Sequence, residues 1–419
     1  MARGVRAVAA AVLLAAGAAA WKPLRVARGA AAGALISAGG MLAPLAPPLP
    51  QDAMTPLPGL VRPASAAVNP MQDVGIKEFL VKDGGQHLRL ALPSPPGVDA
   101  SKDTLRAAQI NVELVKLRLE QVGARAPVWS ACAKELEAAE KNIAASGALP
   151  ADAATGVVNE LRALKALVRS EDLAGTKRQQ EVAAEALSAA REALLPPKYL
   201  PFTPEPPEEF RGLPLLKGRA RVAFTLRHAD GGTWVVNPGE IEEGQEIQRV
   251  KDLEVLVEVD GYHAPLTAAR FVKLAAGGFY NGQKVNKAEE LIVQTGERGS
   301  DKVQGGAIPL ELFYKGDAAP AYSYTSDEDN RATETFSLPF QAYGALGMAR
   351  LPDDADSATS QVFFVKWDQA LVPPGRNTLD GFYSCFGYAT KNAELLKQVQ
   401  PGDVVVSAKV ISGLDGLVE

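Results

Sequence analysis

The sequence predicts a multi-domain α + β protein, with an N-terminal helical bundle followed by a closed β-barrel that is capped by helices. Apolar residues recur at three- and four-residue spacings through residues 101–195, which is typical of amphipathic helices. From residue 214 onward the spacing becomes two, as in half-buried strands. Six prolines lie between the two patterns, in residues 194–210. A length of 419 residues suits two or three domains of this kind.

These shifts of composition define five segments. The predicted boundaries are 1–66 for a targeting presequence, 67–100 for an N-terminal extension, 101–195 for the helical bundle, 196–213 for a proline-rich linker and 214–419 for the barrel. The linker is predicted to be stiff and partly extended, because proline restricts the backbone.

The first 66 residues have the composition of a cleaved presequence. No acidic residue precedes Asp52, and two apolar stretches lie at residues 7–20 and 30–50. The first stretch is too short to be a permanent membrane helix, and proline and glycine interrupt the second. Small residues at 64 and 66 suggest cleavage before Ala67. Two signals in series predict import into an inner lumen; a single bacterial-type signal with an apolar linker is the alternative.

Charge and composition exclude several classes of partner. Residues 67–419 contain 38 basic and 48 acidic residues, and such a surface repels nucleic acid and anionic lipid. No permanent membrane span is expected in the mature chain, although peripheral association stays open.

The three histidines show no ligand spacing, and the acidic loops lack the EF-hand pattern, so neither a metal nor a cofactor is expected. Cys132 and Cys385 are expected to be buried thiols, with a disulfide between domains as the alternative.

Four helices are predicted in the bundle, at residues 103–122, 128–146, 156–168 and 171–195, with Ser170 as the N-cap of the fourth. Short breaks at Gly123, Gly147 and Gly175 favour an antiparallel arrangement. Nothing in these helices suggests catalysis, so a spacer or a docking bundle is the interpretation. Ahead of them, residues 87–93 are predicted to be a short strand-like piece.

In the second half, residues 220–226 and 253–260 alternate between apolar and polar side chains, and residues 264–278 have helical spacing. Residues 360–365, with the sequence SQVFFV, read as a buried strand that contains one amide, Gln361. A second strand is predicted at 344–350, and Asp380-Gly381 is a turn signal before a third. A polar amide beside two phenylalanines needs a partner, and a bound peptide is one candidate.

The strings LIVQTGE (291–297), SQVFFV (360–365) and LDGFYSCFG (379–387) occur in this order over about a hundred residues. Together they resemble the second half of the cyclophilin domain. The resemblance implies a cyclophilin-type barrel and peptidyl-prolyl cis-trans isomerase activity. Rotation about the prolyl bond meets a barrier of ~18–20 kcal/mol and breaks no bond, so binding the twisted amide is sufficient for catalysis.

The resemblance also assigns roles to individual residues. It implies catalytic roles for Lys287, Gln294 and Gln361, and substrate-binding roles for Leu291, Ile292, Ala349, Arg350, Phe363, Leu379 and Tyr383. Lys287 stands nearest to the position of the family's arginine, whose planar fork of five donors a lysine lacks. Leu291 replaces a phenylalanine of the pocket and Tyr383 a histidine. The apolar residues of the pocket, which we call the apolar slot (Phe363, Leu379 and Tyr383), are therefore better preserved than the polar catalytic group. Weak or absent turnover is expected.

The presequence, the helical bundle, the proline linker and a long insert after Gln294 are all similar to the forty-kilodalton thylakoid-lumen cyclophilins of plants and algae. That resemblance implies a chloroplast thylakoid-lumen location and a role in photosystem II assembly, with proline-containing lumenal segments, including photosystem II subunits, as partners. The alternative is a catalytically inactive cyclophilin-fold chaperone or scaffold that binds such segments. In this second hypothesis, the helical domain and its linker would inhibit the barrel.

Overall fold

The computed structural model describes residues 80–236, 247–297, 305–366 and 379–419, which all belong to one unit of the chain, residues 67–419. The predicted presequence and the acidic loop at 239–246 lie outside the described residues. Within the described ranges, no helix is both long and apolar enough to cross a membrane.

Four long helices follow one another in the first half and form the predicted bundle. They are α2 (Thr104–Gln121), α3 (Ala126–Ser146), α4 (Ala151–Arg169) and α5 (Leu173–Glu192). Each helix packs on the next, and α2 also packs on α5, which closes the bundle. Its core includes Val115, Leu136, Leu161 and Leu187, all fully buried. The predicted N-cap Ser170 is wrong, because Asp172 caps α5 by accepting a hydrogen bond from Gly175 N.

The strand-like piece predicted at 87–93 is also wrong, since Gly84–Ala91 form a helix, α1, capped by Asp83. The cause is that α1 is buried on more than one side. Leu88 joins an apolar cluster of the barrel, Leu90 packs with three residues of α2, and Leu92 contacts a third cluster. Because both the bundle and the barrel cover this helix, apolar residues occur at every second position, which is the spacing expected of a strand.

Two buried arginines, one from each side, bind the carboxyl end of α1. Arg191 of α5 donates to the backbone oxygens of Arg89 and Leu92, at 3.1 and 3.3 Å. Arg219 donates to Leu88 O at 2.6 Å. The last carbonyls of a helix lack partners within the helix and carry partial negative charge, so guanidinium groups are suited to them. Helix α1 therefore joins the bundle to the barrel.

The other side of α1 is held by a buried carboxylate of the bundle. Glu113 of α2 is inaccessible to solvent, and its Oε1 accepts from Arg89 Nε at 2.6 Å. Three glutamines also donate to this carboxylate, at 3.0–3.1 Å: Gln86, Gln109 and Gln180. A buried charge is tolerated only when it is paired and hydrogen-bonded, and this one is fully surrounded by donors.

The second half is a closed antiparallel barrel, as predicted. Its eight strands, in spatial order, are β13 (Val404–Ser412), β2 (Arg219–Arg227), β5 (Asp252–Asp260), β12 (Cys385–Lys391), β10 (Ala345–Met348), β11 (Val362–Val365), β7 (Ile292–Thr295) and β6 (Val285–Ala288). Backbone hydrogen bonds close the ring, among them Val405 N to Gln283 O at 2.8 Å. Short two-residue strands form three outer pairs: β1 (Leu215–Leu216) with β14 (Leu417–Val418), β3 (Trp234–Val235) with β4 (Arg249–Val250), and β8 (Glu311–Leu312) with β9 (Ala321–Tyr322). Helix α6 (Pro265–Ala276) and a 3-10 helix, Ala393–Gln398, pack against the barrel.

Side chains that alternate along each strand point to two different apolar layers, one inside the barrel and one on its outer face. In β11, Val362 and Phe364 belong to the barrel interior, together with Phe224 and Phe271. Phe363 and Val365 point to the opposite, outer face and belong to a second cluster. Helix α1 lies on this outer face, where the His87 ring stacks on Tyr388 at 5.4 Å between centroids. Burial lowers the pKa of His87 to about 4, so the ring is neutral at physiological pH.

We expect Arg219→Met to lower the free energy of unfolding by about 3–5 kcal/mol, because it leaves the Asp260 carboxylate buried without its guanidinium. The side chains of Arg219 and Asp260 are 5% and 0% exposed, and the two residues are directly opposite each other in β2 and β5. Arg227 and Asp252 form the same cross-strand pair at the other, exposed end of these strands.

Arg227→Met is therefore the matched control, and urea denaturation of both variants is the measurement. Equal, small losses of stability in the two variants would contradict the assignment of Arg219 as a buried structural ion pair.

Candidate functional site

Residues predicted for the site form one row across the outer face of the barrel. Lys287 of β6 is directly opposite Gln294 of β7, and Gln294 is opposite Phe363 of β11. Phe363 is in turn opposite Gly347 of β10. Directly opposed residues of antiparallel strands share a face, so a cation, an amide and an aromatic ring lie side by side. The tertiary structure brings together what the sequence separates by up to 76 positions.

The two predicted glutamines are in direct contact. Gln294 Nε2 donates to Gln361 Oε1 at 2.6 Å, and Gln294 is buried while Gln361 is half-buried. Gln361 O accepts from Ala349 N at 2.8 Å, which ties the end of β10 to the start of β11. Among the described residues, this pair leaves one N–H of Gln294 and the NH2 group of Gln361 available for a bound peptide.

Lys287 is half-buried and, within the described ranges, forms neither an ion pair nor a side-chain hydrogen bond. Its neighbour Asn286 is engaged instead, since Asn286 Nδ2 donates to Glu297 at 2.8 Å. Lys287 is therefore the cation of the row that can approach a ligand carbonyl.

The pocket phenylalanine is covered by other rings. Phe363 is only 2% exposed. The Phe340 ring stacks on it at 5.5 Å between centroids, and the Tyr383 ring approaches it edge-on at 5.3 Å. Leu379 and Tyr383 are also buried, in the same apolar cluster, and burial raises the pKa of the Tyr383 hydroxyl. In this structure no face of Phe363 is open to a ligand.

The remaining predicted residues form the edges of this cluster. Ile292 and Ala349 are half-buried and pack against it, and Leu291 holds the end of β11 through its backbone oxygen. Arg350 is turned away from the row: its Nε donates to Phe382 O at 2.7 Å, and its guanidinium lies 5.5 Å from the Tyr383 ring centroid. Arg350 therefore orients Tyr383 rather than offering a free cation.

Helix α1 contributes to the same cluster, through Leu88. Among the described residues, the apolar cluster of the site contains none from the proline linker, whose Phe202 ring packs on Phe313 at 5.6 Å between centroids. The N-terminal part of the chain therefore reaches the site cluster through the extension ahead of the bundle.

Sequence reasoning missed three residues of the site: Leu88, Phe340 and Gly347. None belongs to a motif that carries a polar function, and apolar residues become recognisable as neighbours only when the chain is folded. A glycine inside a strand is the one signal that was available, since it often marks a close approach.

A buried glutamate supports the wall of the cluster next to Tyr383. The backbone N–H of Glu311 donates to Ser384 Oγ at 2.8 Å. The Glu311 carboxylate caps α6, accepting from Thr267 N at 2.9 Å and from Thr267 Oγ1 at 2.8 Å. Such a cap is needed because the N-cap residue Ala264 has no polar side chain. Burial raises the pKa of Glu311 to about 7.

Comparison with known proteins agrees with this geometry. The family profile described as cyclophilin type peptidyl-prolyl cis-trans isomerase/CLD matches residues 247–413. A putative thylakoid lumen peptidyl-prolyl cis-trans isomerase of Synechocystis is 32% identical over 356 residues, which cover 81% of this chain and 84% of the relative. Two chloroplastic peptidyl-prolyl cis-trans isomerases of Arabidopsis thaliana are each 35% identical, over 52% and 50% of this chain. The matches span only 48% and 43% of those two proteins.

Among solved structures, a cyclophilin of Mimivirus is 15% identical and covers 47% of this chain and 92% of its own, with a TM-score of 0.30. A cyclophilin-type isomerase of Cryptosporidium parvum, crystallised in the presence of the dipeptide Ala-Pro, is 18% identical. It covers 38% of this chain and 93% of its own, with a TM-score of 0.29.

We expect Glu311→Gln to change the pH dependence of stability. The pKa of Glu311 is raised from 4.5 to about 7, so the folded state binds this proton more tightly than the unfolded state. Its contribution to the free energy of unfolding is therefore full below pH 4.5 and is lost as the pH rises through about 7. Glutamine does not titrate, so across this window the variant should gain on the order of 3 kcal/mol relative to wild type.

Urea denaturation at a series of pH values measures this difference, with the exposed Glu394→Gln as the control. If the difference between Glu311→Gln and wild type stays constant from pH 4.5 to about pH 7, the assignment of Glu311 as a strongly shifted carboxyl is wrong.

Proposed function

Because the chain belongs to the family of cyclophilin-type peptidyl-prolyl cis-trans isomerases, we propose that it binds proline-containing segments at the row from Lys287 to Phe363 and isomerises them slowly. The observation that carries the proposal is this row, in which a cation, an amide pair and an aromatic ring share one face of the barrel. We further propose that it serves as a folding and assembly factor for photosystem II in the thylakoid lumen.

The chemistry requires no nucleophile, metal or acid–base pair. Isomerisation is accelerated when the protein binds the twisted prolyl amide more tightly than either planar form. The Gln294–Gln361 pair is placed to hold the peptide backbone, and Phe363 is the apolar surface for the proline ring. Lys287 supplies positive charge beside the rotating amide, where preorganised donors stabilise the transition state.

Slow turnover is expected because the cation of the row is the ammonium group of Lys287 and not a guanidinium. A lysine ammonium is a flexible point charge, whereas a guanidinium presents several donors in a fixed plane. Because the advantage of preorganisation comes from donors that need not reorganise, Lys287 should bind a carbonyl yet stabilise the twisted amide less well.

Two observations favour a second candidate, a non-catalytic chaperone or scaffold. Phe363, Leu379 and Tyr383 are all less than 10% exposed, so the apolar slot is closed to a peptide in this structure. A closed slot and a lysine in place of the arginine both reduce turnover. Isomerase activity separates this candidate from the first.

The closed slot supports inhibition by the N-terminal part of the chain. Leu88 of α1 shares the apolar cluster with the slot residues, and Arg191 and Arg219 hold α1 in place. We assign the inhibitory contact to α1 rather than to the linker, whose described ring contact is with Phe313. Release of α1 would uncover one side of the cluster.

The proposed location and the proposed client are supported by different observations. The names of the relatives place those proteins in the thylakoid lumen and the chloroplast. The photosystem II role rests on the resemblance to the lumenal cyclophilins alone. A binding site for proline-containing loops and an acidic surface are compatible with lumenal segments of membrane proteins as clients.

We expect Lys287→Arg to increase the isomerase activity of residues 67–419, by up to about 10²–10³ in kcat/KM if the guanidinium acts as a preorganised donor. Cis/trans exchange of a short Ala-Pro peptide, followed by NMR, measures it. Lys284→Arg, in the same segment but exposed, is the matched control and should leave the rate unchanged.

Exchange well above the uncatalysed rate in the wild-type chain would establish an isomerase. No exchange in wild type with activity in Lys287→Arg would favour the scaffold. Inactivity of both proteins, despite peptide binding, would refute the role given to Lys287.

We expect Gly84→Val to release α1 and to raise the affinity for the same peptide about tenfold, if the open state is populated at about a tenth. A Cβ at Gly84 would lie 2.4 Å from Tyr388 Cβ, which cannot move away independently of β12. Gly156→Val, in α4, is the control, because nothing lies within 4 Å of the new Cβ there.

Hydrogen exchange of the α1 amides reports release, and peptide titration reports affinity. Faster exchange in Gly84→Val without a change of affinity would show that α1 does not restrict the site.

A further inference from the structure

Arg106, in the first turn of α2, carries a guanidinium without a counter-charge of its own. The side chain is half-buried, and its Nε is inaccessible to solvent and has no hydrogen-bond acceptor. Among the described residues, it forms no ion pair. Burial lowers its pKa, as expected of a cation that has lost water without gaining a partner. A charged donor left unsatisfied in a protein interior is costly, so an acceptor is expected at this place.

The carboxylate that acts on Arg106, that of Asp103, is already engaged. Its Oδ1 accepts from the backbone N–H of Arg106 at 3.0 Å, which makes Asp103 the N-cap of α2. Its Oδ2 accepts from Ser94 Oγ at 2.7 Å. The carboxylate is thus fixed between the end of the helix and the extension, and both of its oxygens have donors other than the Arg106 guanidinium.

A second buried guanidinium lies close to the first. Arg191 is 3% exposed and uses two of its five N–H groups on the backbone oxygens at the end of α1. Burial and the charge of Arg106 lower its pKa to about 9, and Arg219 adds further positive charge. Glu113 also acts on Arg191, but it is paired with Arg89. Arg191 therefore lacks a carboxylate partner of its own among the described residues.

The third cation comes from the insert of the barrel. Tyr314 and Phe336 form an isolated antiparallel bridge, so Phe313 and Lys315, on either side of Tyr314, share one face. That face is turned toward the N-terminal half of the chain, since the Phe313 ring packs on a ring of the proline linker. Lys315 is half-buried, and within the described ranges its ammonium group has neither an ion pair nor a hydrogen bond. Burial, and then the charge of Arg106, lower its pKa to about 8.

Three cations without a free counter-charge therefore meet where the bundle, the extension and the insert join. We propose that Arg106, Arg191 and Lys315 together bind one small oxyanion, of the class of inorganic phosphate and sulfate. Guanidinium and ammonium groups form their strongest hydrogen bonds with such oxygens. The chain contains 49 acidic against 44 basic residues, so a shortage of carboxylates does not account for the unpaired cations. None of the three belongs to the row from Lys287 to Phe363, so the site is independent of the proposed function.

The test is a phosphate titration of residues 67–419 at constant ionic strength, with chloride as the other anion. Arginine labelled with nitrogen-15 shows the Nε–H signal of Arg106, which Arg106→Met identifies by its loss. We expect phosphate to shift this signal and to slow its exchange with water, because the orphaned Nε gains an acceptor. Sulfate should compete with phosphate for the same site.

Isothermal titration of variants measures the contribution of each cation. Arg106→Met and Lys315→Met should each weaken phosphate binding about tenfold or more, which is the value of one hydrogen bond between charged groups. Arg178→Met and Lys134→Met remove exposed cations from α5 and α3 and are the matched controls, which should leave the affinity unchanged. If Arg106→Met does not fold, Arg106→Lys keeps the charge, lacks the Nε–H and should still bind phosphate more weakly than wild type.

Urea denaturation separates an anion site from a merely structural arginine. Without phosphate, Arg106→Met removes an unpaired buried charge and should not lower the denaturation midpoint. With phosphate, the midpoint of wild type should rise and that of the variant should not.

Three outcomes would overturn the proposal. The first is an Arg106 signal that phosphate leaves unchanged, or that chloride changes equally. The second is phosphate binding that survives substitution of both Arg106 and Lys315, because the anion would then bind elsewhere. The third is a loss of stability in Arg106→Met that is the same with and without phosphate, which would leave Arg106 a structural role alone.

Discussion

The arrangement of the described residues depends on one buried guanidinium. Arg219 begins the second strand of the barrel, pairs with the fully buried Asp260 at 2.7 Å and also donates to the end of α1. Burial of a charge is costly, so the ion pair and the helix carbonyl must both be in place. The guanidinium also lowers the pKa of Asp260, which keeps this carboxyl ionised. The barrel and the N-terminal extension are therefore held together by the same group.

This constraint has a consequence for the site. The extension rests on the outer face of the barrel, and the site row lies on that same face, so the cluster that covers Phe363 includes Leu88, more than two hundred positions away in the chain. The hydrogen bonds that Arg89 and Gln86 donate to Glu113 fix the other side of α1 to the bundle. Among the described residues, the helical half of the chain thus contributes Leu88 to the apolar cluster of the candidate site, and the bundle holds the helix that carries it.

Two features of the barrel act in the same direction. The cation of the row is a lysine, Lys287, and the aromatic ring of the row, Phe363, is almost fully covered. Under the proposed function, the first would slow isomerisation and the second would limit access of a prolyl ring to the apolar surface. A protein that holds clients longer than it turns them over would combine these features.

The sequence by itself determined the bundle, the barrel strands and most of the site row. These depend on local periodicity, and Gln294, Gln361 and Phe363 lie in short motifs on such strands. Only the tertiary structure showed that α1 is a helix and that Phe340 and Gly347 lie beside Phe363. Alternating leucines in residues 88–92 predicted a strand because the pattern records burial and cannot tell one covering domain from two. The close approach of the Phe363 and Phe340 rings to Gly347 exists only after the strands that carry them have paired.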